Sequence, residues 1–590
     1  MKRWVLREND ANIDLMTKTL GVSPILCEIL ANRGLRSKNT AVQFLNPLRD
    51  YLLALDNMAG VTDAVDIIRD GVDNGKRFCI FGDYDVDGVS GTVILHKGLA
   101  GLGADITHYI PHREKEGYGL NMAAVENIAG SGCNIFITVD NGIASVAEVA
   151  RAIELGMAVI IIDHHEPPFV EEDEKRYEVL PPANAIVNAK QADCGYPFKE
   201  LSAAGVSYKF VRHLYGRLEK EFNLDNELLI FAAIATFCDV VDLVGENRIL
   251  AKNGLRLLNK AETGATNIGL NALVKARNLE YNDIDDFAIG FILGPCINAS
   301  GRLSSADLAV ELFLTDDEAR AVELASQLVL LNDERKALCA KYVDETIVGL
   351  DMTALDDVLV IFVPDIHESI AGIVAGRVKE HTYRPTIVFS DAHGVAKGSA
   401  RSIEGYNVFE ALQKNKDLFT RFGGHAMAAG ITMPIENIDE LRQRLNSNSG
   451  LTTDDFNPII YGEKELKLDE ITFELATQIA ALSPFGKANK EPIFFTKGIF
   501  TEKAEIVGQS GQTLRLTLRT DNGRKITAIA FKAVDNFVQL LNKNYNEKIA
   551  KGFVSGRLVN LNIKLDIAYN IRINTYKGNS SLQLVIIDFT

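Results

Sequence analysis

The sequence predicts an α/β protein in three parts: a doubly wound parallel sheet domain, a smaller α/β domain reached through a long helix, and a small β-barrel. Three observations predict it. Between residues 77 and 165, three apolar runs rich in β-branched residues each stop at acidic or imidazole side chains and alternate with helical patterns, as parallel strands with crossover helices do. From 316 to about 350 runs an unbroken stretch of helix formers with no Pro and no Gly before Gly349, the length of a helix that connects domains. Beyond residue 513, short alternating segments are separated by polar turns such as Asp521-Asn-Gly-Arg524, a pattern of short antiparallel strands.

The first strand, Arg77-Phe-Cys-Ile-Phe81, stops at Gly82 and is followed by Asp83, Asp85 and Asp87, after which Gly88 opens a helical pattern. Carboxylates at every second position repel one another unless cations sit between them, and an oxygen-rich set of this kind suits hard divalent ions such as Mg2+ or Mn2+. A solvated acidic turn is the competing reading of this segment alone. The second strand, Asn134-Ile-Phe-Ile-Thr-Val, ends at Asp140-Asn141-Gly142, and the third, Ala158-Val-Ile-Ile-Ile-Ile162, at Asp163-His164-His165. Groups at the carboxyl ends of neighbouring parallel strands converge on one crevice. A fourth apolar segment, 229–238, delivers Asp239. Three carboxylate-bearing strand ends arriving with a His pair favour a metal site over packing histidines.

The set DYDVDG, VDNG, DHH and ATFCD, in this order, resembles the DHH phosphoesterase superfamily. Arg113-Glu-Lys-Glu-Gly117-Tyr118-Gly119, Gly294-Pro-Cys-Ile-Asn298-Ala-Ser-Gly301-Arg302-Leu303, Gly398-Ser399-Ala-Arg401-Ser402 and Phe422-Gly423-Gly424-His425 narrow the resemblance to the RecJ family, over nearly the whole chain. That resemblance implies a single-stranded-DNA-specific 5′→3′ exonuclease that works with two divalent cations, Mn2+ or Mg2+, in DNA repair and recombination. Two ions about 3.5–4 Å apart activate a water and neutralise charge on the scissile phosphate. Carried over by motif, Asp85 and Asp87 sit one on each ion, Asp140 bridges them, and His164 and Asp239 complete the set; Asp83 is a further ligand or orienting group. Asp163 fixes an imidazole or a backbone turn, and His165 contacts the phosphate in the transition state. Arg113, Ser399 and Arg401 hold the 5′ phosphate, for which a planar guanidinium is bidentate, while Asn298, Arg302, Gly424 and His425 contact neighbouring phosphates. The chain departs from the family at Ile366-His367-Glu368-Ser369, at Cys296 and at Lys487-Ala-Asn-Lys490, none of them a metal-ligand position.

The remaining elements follow in order. Residues 1–50 alternate short helical patterns with breaks and read as a helical lead-in; 51–315 hold the DHH-type catalytic domain, 316–350 the connecting helix, 351–447 a DHHA1-type domain with strands at 357–363 and 385–390, and 448–590 a linker, a helix and a barrel. The segment Asn446-Ser-Asn-Ser-Gly-Leu-Thr-Thr-Asp-Asp455 is linker-like in composition. After a helix over 471–482, strands are expected at 514–519, 525–531, 552–558 and 582–588; the family carries an OB-fold here. Arg515, Arg519 and Arg557 among Phe531, Tyr569 and Tyr576 would suit a DNA single strand, whose bases stack while its phosphates pair with cations. The alternative is that these aromatics are barrel core.

Composition agrees with a large enzyme. At 590 residues the chain exceeds the about 250–300 residues of one core. No apolar stretch reaches the ~18–20 residues of a membrane helix, and the N-terminal residues lack a signal-peptide core. Seven cysteines never form CxxC and read as reduced, which points to the cytoplasm. The net charge is −17, yet residues 491–590 carry 14 Lys and Arg against 8 Asp and Glu, so the basic end is the better electrostatic footprint for phosphates. Single-stranded DNA is the expected partner, with a single-strand-binding protein as a second by family analogy and no membrane. Two rivals stand: a DHH phosphoesterase of oligoribonucleotides or cyclic dinucleotides, whose members usually lack this basic barrel, and a non-catalytic DNA-binding relative, which would have lost metal carboxylates that this chain keeps.

Overall fold

The computed structural model describes residues 2–590 except 118, 173–174, 261–266, 521, 560, 562 and 577. Tyr118, Asp521 and the side chain of Tyr576, singled out above, lie outside the described residues. The chain forms two compact units, one of Leu53–Val241 with Asn253–Pro458, the other of Met1–Leu52, Asp242–Lys252 and Ile459–Thr590.

The first unit contains two five-stranded sheets and a two-stranded one, Phe169–Glu172 with Lys175–Glu178. The larger domain is built on five parallel strands in the order Asp105–Tyr109, Arg77–Gly82, Ile135–Val139, Ala158–Ile162, Ala185–Val187. The chain passes from Arg77–Gly82 to Asp105–Tyr109 on one side and then to Ile135–Val139 on the other, which makes the carboxyl ends of Arg77–Gly82 and Ile135–Val139 the crevice where an open α/β sheet binds ligands. Ile135–Val139 is buried throughout and Ala158–Ile162 at all but its first residue, as continuous apolar runs covered on both faces must be. Helices Val86–Ala100, Ala203–Arg217 and Asp225–Cys238 pack against one another. The expected long helix spans Glu318–Val348, capped by Asp317, whose side chain accepts from the N–H groups of Ala319 and Arg320.

The second sheet of this unit is mixed, in the order Arg421–His425, Ala428–Pro434, Val395–Arg401, Thr386–Asp391, Leu359–Phe362. Helix Glu368–Thr382 packs on Thr386–Asp391 and Val395–Arg401. The linker-like stretch begins later than its composition suggests. Helix Ile438–Ser447 runs through Asn446, whose side chain bonds both the N–H and the carbonyl of Val358.

In the other unit, strands Phe494–Val507, Thr513–Arg519, Lys525–Ala530, Asn579–Phe589 and Ile563–Tyr576 pair in sequence, and the last also pairs with the first. Helices Ile13–Leu20, Pro24–Asn32 and Lys38–Leu45 share one apolar core with this barrel. The fully buried Arg248 donates to the carbonyls of Phe44, Ser483 and Pro484. The strand expected at 552–558 is absent: Glu547–Val554 is a helix capped by Asn546, with Ala550, Phe553 and Val554 buried on one face. Among the described residues no helix is long and apolar enough to cross a membrane, and all seven cysteines are free.

Candidate metal centre and phosphate pocket

The acidic loop after Arg77–Gly82 is shaped by its own hydrogen bonds. Asp85 caps helix Val86–Ala100, its Oδ1 accepting the N–H groups of Asp87 at 2.9 Å and Gly88 at 3.2 Å. Gly88 is required, because a Cβ there would lie 2.4 Å from the Asp83 carbonyl oxygen. Asp87 is buried at the N-terminus of helix Ala203–Arg217, where its two oxygens accept the N–H groups of Ala203 at 2.7 Å and Ala204 at 2.8 Å, positions that favour a carboxylate. Asp140 follows its strand with a left-handed backbone, φ 62, a conformation that Asp tolerates better than most residues. Asp163 is buried. Its Oδ2 accepts the Ile143 N–H at 3.1 Å, and its Oδ1 accepts the N–H groups of His164 at 2.7 Å and His165 at 3.1 Å and lies 2.8 Å from His165 Nδ1.

These strand ends meet. His164 Nε2 lies 3.2 Å from Asp140 Oδ1, 3.8 Å from Asp87 Oδ2 and 3.8 Å from Asp239 Oδ2. Donor atoms of Asp87, His164 and Asp239 lie within 4.8 Å of one another; so do those of Asp83, Asp85 and Asp140, and of Asp140, His164 and His165. Burial, then the neighbouring carboxylates, push Asp87 up to about 7 and Asp239 up to about 8 and raise Asp83 and Asp140 well above the usual range. Burial and the adjacent His165 push the His164 imidazole down to about 3. Burial opposes protonation of His165 as well, but the hydrogen bond and charge of Asp163 outweigh it and bring His165 up to about 9.

The donor set fits divalent cations. Asp83 Oδ1 and Asp140 Oδ1 are buried with no hydrogen-bond partner among the described residues, an arrangement that costs about 1–3 kcal/mol per orphaned atom. A neutral imidazole facing three carboxylates is a ligand arrangement rather than an ion pair. Hard oxygen donors with one imidazole and no thiolate suit Mn2+ or Mg2+.

Helix Gly294–Leu303 clasps this loop. Asn298 Oδ1 accepts the Val86 N–H at 3.2 Å, and a Cβ on Gly301 would lie 2.5 Å from the Tyr84 carbonyl oxygen. Asn298, expected at a phosphate, is thus engaged with the acidic loop. Arg302 donates from Nη1 to the Ser369 carbonyl at 2.6 Å, and His367 pairs with Glu114, so two ties join the sheet domains. The Arg113 guanidinium lies over the Tyr84 ring, 4.9 Å from its centroid.

Arg113, Arg302, Ser399 and Arg401 line one cavity of about 690 Å³. Arg401 donates to Ser399 Oγ at 3.1 Å. Of the Gly-Gly-His turn, Gly423 lines the cavity. Gly424 has φ 149, with no room for a Cβ 2.4 Å from the Ala428 carbonyl oxygen, and His425 is exposed at the strand end. The motifs missed Lys397, Arg421, Thr432 and Glu368, which also line the cavity. Lys397 stands two residues before Ser399 on one strand, hence on the same face, and that period could have found it.

The barrel divides the residues expected on its binding face. Tyr569 is buried, its hydroxyl 2.8 Å from Thr496 Oγ1, and so belongs to the core. Arg515 pairs with Glu505 at 2.9 Å, and Arg557 follows helix Glu547–Val554 instead of standing on a strand. Arg519 and Lys564 both lie over the Phe500 ring, 5.2 and 5.0 Å from its centroid, and Phe531 is 64% exposed.

Three family models match the chain: the DHH family N-terminal domain over residues 77–236, the DHHA1 domain over 355–449 and the RecJ OB domain over 463–588. The chain is 34% identical to the single-stranded-DNA-specific exonuclease RecJ of Bacillus subtilis, over 99% of this chain and 70% of that one. It is 32% identical to the RecJ of Dickeya dadantii, over 95% of each. The crystal structure of Thermus thermophilus RecJ in complex with Mn2+ superposes with a TM-score of 0.79 at 28% identity, covering all of this chain and 79% of that one; the complex with Mg2+ gives 0.73 at 26%, covering all of this chain and 78% of that one.

Proposed function

The chain belongs to the RecJ family, and on that footing we propose that it is a single-stranded-DNA-specific 5′→3′ exonuclease that hydrolyses phosphodiester bonds with two divalent cations, Mn2+ or Mg2+, and releases 5′-mononucleotides in DNA repair and recombination. The observation that carries this reading is the meeting of His164 Nε2 with the Asp87, Asp140 and Asp239 carboxylates, in a unit whose cationic cavity shares Arg113 and Arg302 with the acidic loop's surroundings.

Asp83, Asp85, Asp87, Asp140, His164 and Asp239 would hold the cations. When bound, such ions lower the pKa of an attacking water and offset charge on the scissile phosphate. The chain's own residues do the rest. Asp163 orients both histidines through their backbone and through His165 Nδ1, and the half-exposed His165 would contact a phosphate oxygen. Arg113, Ser399 and Arg401 would grip the terminal 5′ phosphate, two guanidinium groups matching a dianion. Asn298 and Gly301 keep the acidic loop in register, and Arg302 serves the same end by tying the second domain to the first. Arg302, Gly424 and His425 would meet further phosphates. The half-buried Arg519 and the exposed Lys564 and Phe531 would carry the strand across the barrel.

The domain reading consists of a lead-in over 1–50, the catalytic domain over 51–315, the connecting helix over 316–350, the second domain over 351–447 and the barrel region over 448–590. Free cysteines support a cytoplasmic site of action, and a single-strand-binding protein as partner rests on family analogy. The test is Mn2+-dependent hydrolysis of a single strand, a blunt duplex of the same sequence and a two- to five-nucleotide RNA. Hydrolysis of the single strand with an inert duplex is expected; hydrolysis of the short RNA alone would overturn the reading in favour of an oligoribonuclease.

A further inference from the structure

The cavity around Ser399 and Arg401 is larger and more cationic than one terminal phosphate requires. Its volume of about 690 Å³ falls among sites of about 300–1,000 Å³ that enclose whole small molecules. Five cationic side chains line it (Arg113, Arg302, Lys397, Arg401 and Arg421) against the single carboxylate of Glu368. A terminal monophosphate, at most a dianion, leaves most of that charge unmatched.

Strand register shows where the surplus lies. Ser399 pairs across to Gly430 and Gly430 to Gly423; two residues along, Lys397 pairs to Thr432 and Thr432 to Arg421. Residues two apart share a face, so the second row lies beside the first, about 7 Å along the strands. The floor of the first row is bare, since a Cβ on Gly423 or Gly430 would meet open space. Helix Glu368–Thr382 packs on Val395–Arg401 and Thr386–Asp391, while Arg421 stands on the edge strand, about 10 Å from Val395–Arg401. The cavity therefore extends from Arg113 and Arg302, beside the acidic loop, over Ser399 and Lys397, to Arg421. Lys397 is held by Glu368 at 2.8 Å, and Arg421 has no ion pair among the described residues.

We propose that this pocket also accepts a 5′-polyphosphorylated end, with Lys397, Thr432 and Arg421 taking the outer phosphates of a 5′-triphosphate strand. The proposal rests on the reading that Arg113, Ser399 and Arg401 hold the phosphate attached to the first nucleoside. An outer phosphate competes with Glu368 for the Lys397 ammonium and gives Arg421 its counter-ion. In the first turnover a water oxygen adds to the phosphorus of the first internucleotide linkage and the P–O3′ bond breaks. The departing 3′ oxygen takes up a proton and a nucleoside 5′-triphosphate leaves. The phosphorus stays on the shortened strand as a new 5′-monophosphate, so every later turnover releases a mononucleotide.

The test uses the full chain with excess Mn2+ and two single strands of one sequence, one with a 5′-monophosphate and one with a 5′-triphosphate. The triphosphate strand is expected to be hydrolysed with kcat/KM within tenfold of the monophosphate strand, and its first labelled product to be a nucleoside triphosphate, not pyrophosphate. Arg421→Gln, and Arg421→Gln combined with Lys397→Met, should lower the triphosphate-to-monophosphate ratio of kcat/KM at least tenfold. A triphosphate strand that is neither cut nor a competitor, while the monophosphate strand is cut, would overturn the proposal and leave the nuclease reading standing. An unchanged ratio in both variants would overturn the assignment of the row, as expected if it takes an internucleotide phosphate instead. Failure to cut the monophosphate strand would overturn the nuclease reading itself, and the proposal with it.

Discussion

Asp163 Oδ1 lies 2.8 Å from Nδ1 of His165 and also accepts the backbone N–H groups of His164 and His165. One buried carboxylate thus sets the direction of both imidazoles, while its other oxygen holds Ile143 beyond the neighbouring strand end. Groups of this kind govern affinity without touching the metal. Asp163→Asn replaces one acceptor by an N–H2 group facing donors. It should raise the Mn2+ concentration for half-maximal activity by about 10–100-fold. A Mn2+ titration that superposes on wild type would contradict the role.

Asp140 is the carboxylate shared between two donor groups. Its left-handed backbone is one that Asn also adopts, so Asp140→Asn changes charge with little change of shape. Hydrolysis should be lost. The metal-stripped variant should at the same time be more stable than metal-stripped wild type by about 1–3 kcal/mol, because an unpartnered buried acceptor is relieved. Denaturant melts in EDTA check this, and a destabilised variant would contradict it.

Metal removal should make stability depend on pH with a definite sign. Burial first, and like charges second, bring Asp87 to about 7 and Asp239 to about 8, above the roughly 3.9 of an unfolded Asp. The folded state then binds more protons than the unfolded one, so stability falls as pH rises. In EDTA the melting temperature should decline towards about pH 9, the upper end being set by His165, with His164 opposing the decline below about pH 6.5. Saturating Mn2+ should flatten that decline. Parallel profiles with and without Mn2+ would speak against a cation-compensated cluster.

Asn298 separates two roles by kinetics. A phosphate contact would act on KM, whereas the hydrogen bond from the Val86 N–H predicts looser metal binding. Asn298→Ala should shift the Mn2+ midpoint upward by about tenfold and lower kcat. A rise in KM for DNA alone, with an unmoved Mn2+ midpoint, would return Asn298 to the phosphates.

Arg401→Lys keeps the charge but loses the planar fork that meets a phosphate bidentately. The preference for 5′-phosphorylated over 5′-hydroxyl strands should fall by about tenfold, the effect of one lost charge-assisted hydrogen bond. Equal discrimination by the variant would remove Arg401 from end recognition.

Much of this was legible in the sequence, for a local reason. Apolar β-branched runs ending in Asp83, Asp140 and Asp163 announce parallel strands and place their ends together by topology alone, and an uninterrupted run of helix formers announces Glu318–Val348. What stayed hidden depends on partners remote in the chain. Asn298 meets Val86, 212 residues away, and no local pattern announces that contact. Residues 552–558 alternate like a strand, but the cap at Asn546 and a helical spacing of buried residues up to Val554 prevail. Tyr569 looks like a stacking aromatic until its strand is seen to bury it against Thr496.

The most direct test of the central claim follows label release after Mn2+ is added back to metal-stripped protein, with Asp140→Asn alongside. One DNA single strand is labelled at its 5′ end in one reaction and at its 3′ end in the other. Wild type should release labelled mononucleotide at once from the 5′-labelled strand and progressively shorten the 3′-labelled one, with nothing before Mn2+ and nothing from Asp140→Asn. Immediate release from the 3′ end, or activity that survives EDTA or the Asp140 substitution, would contradict the account.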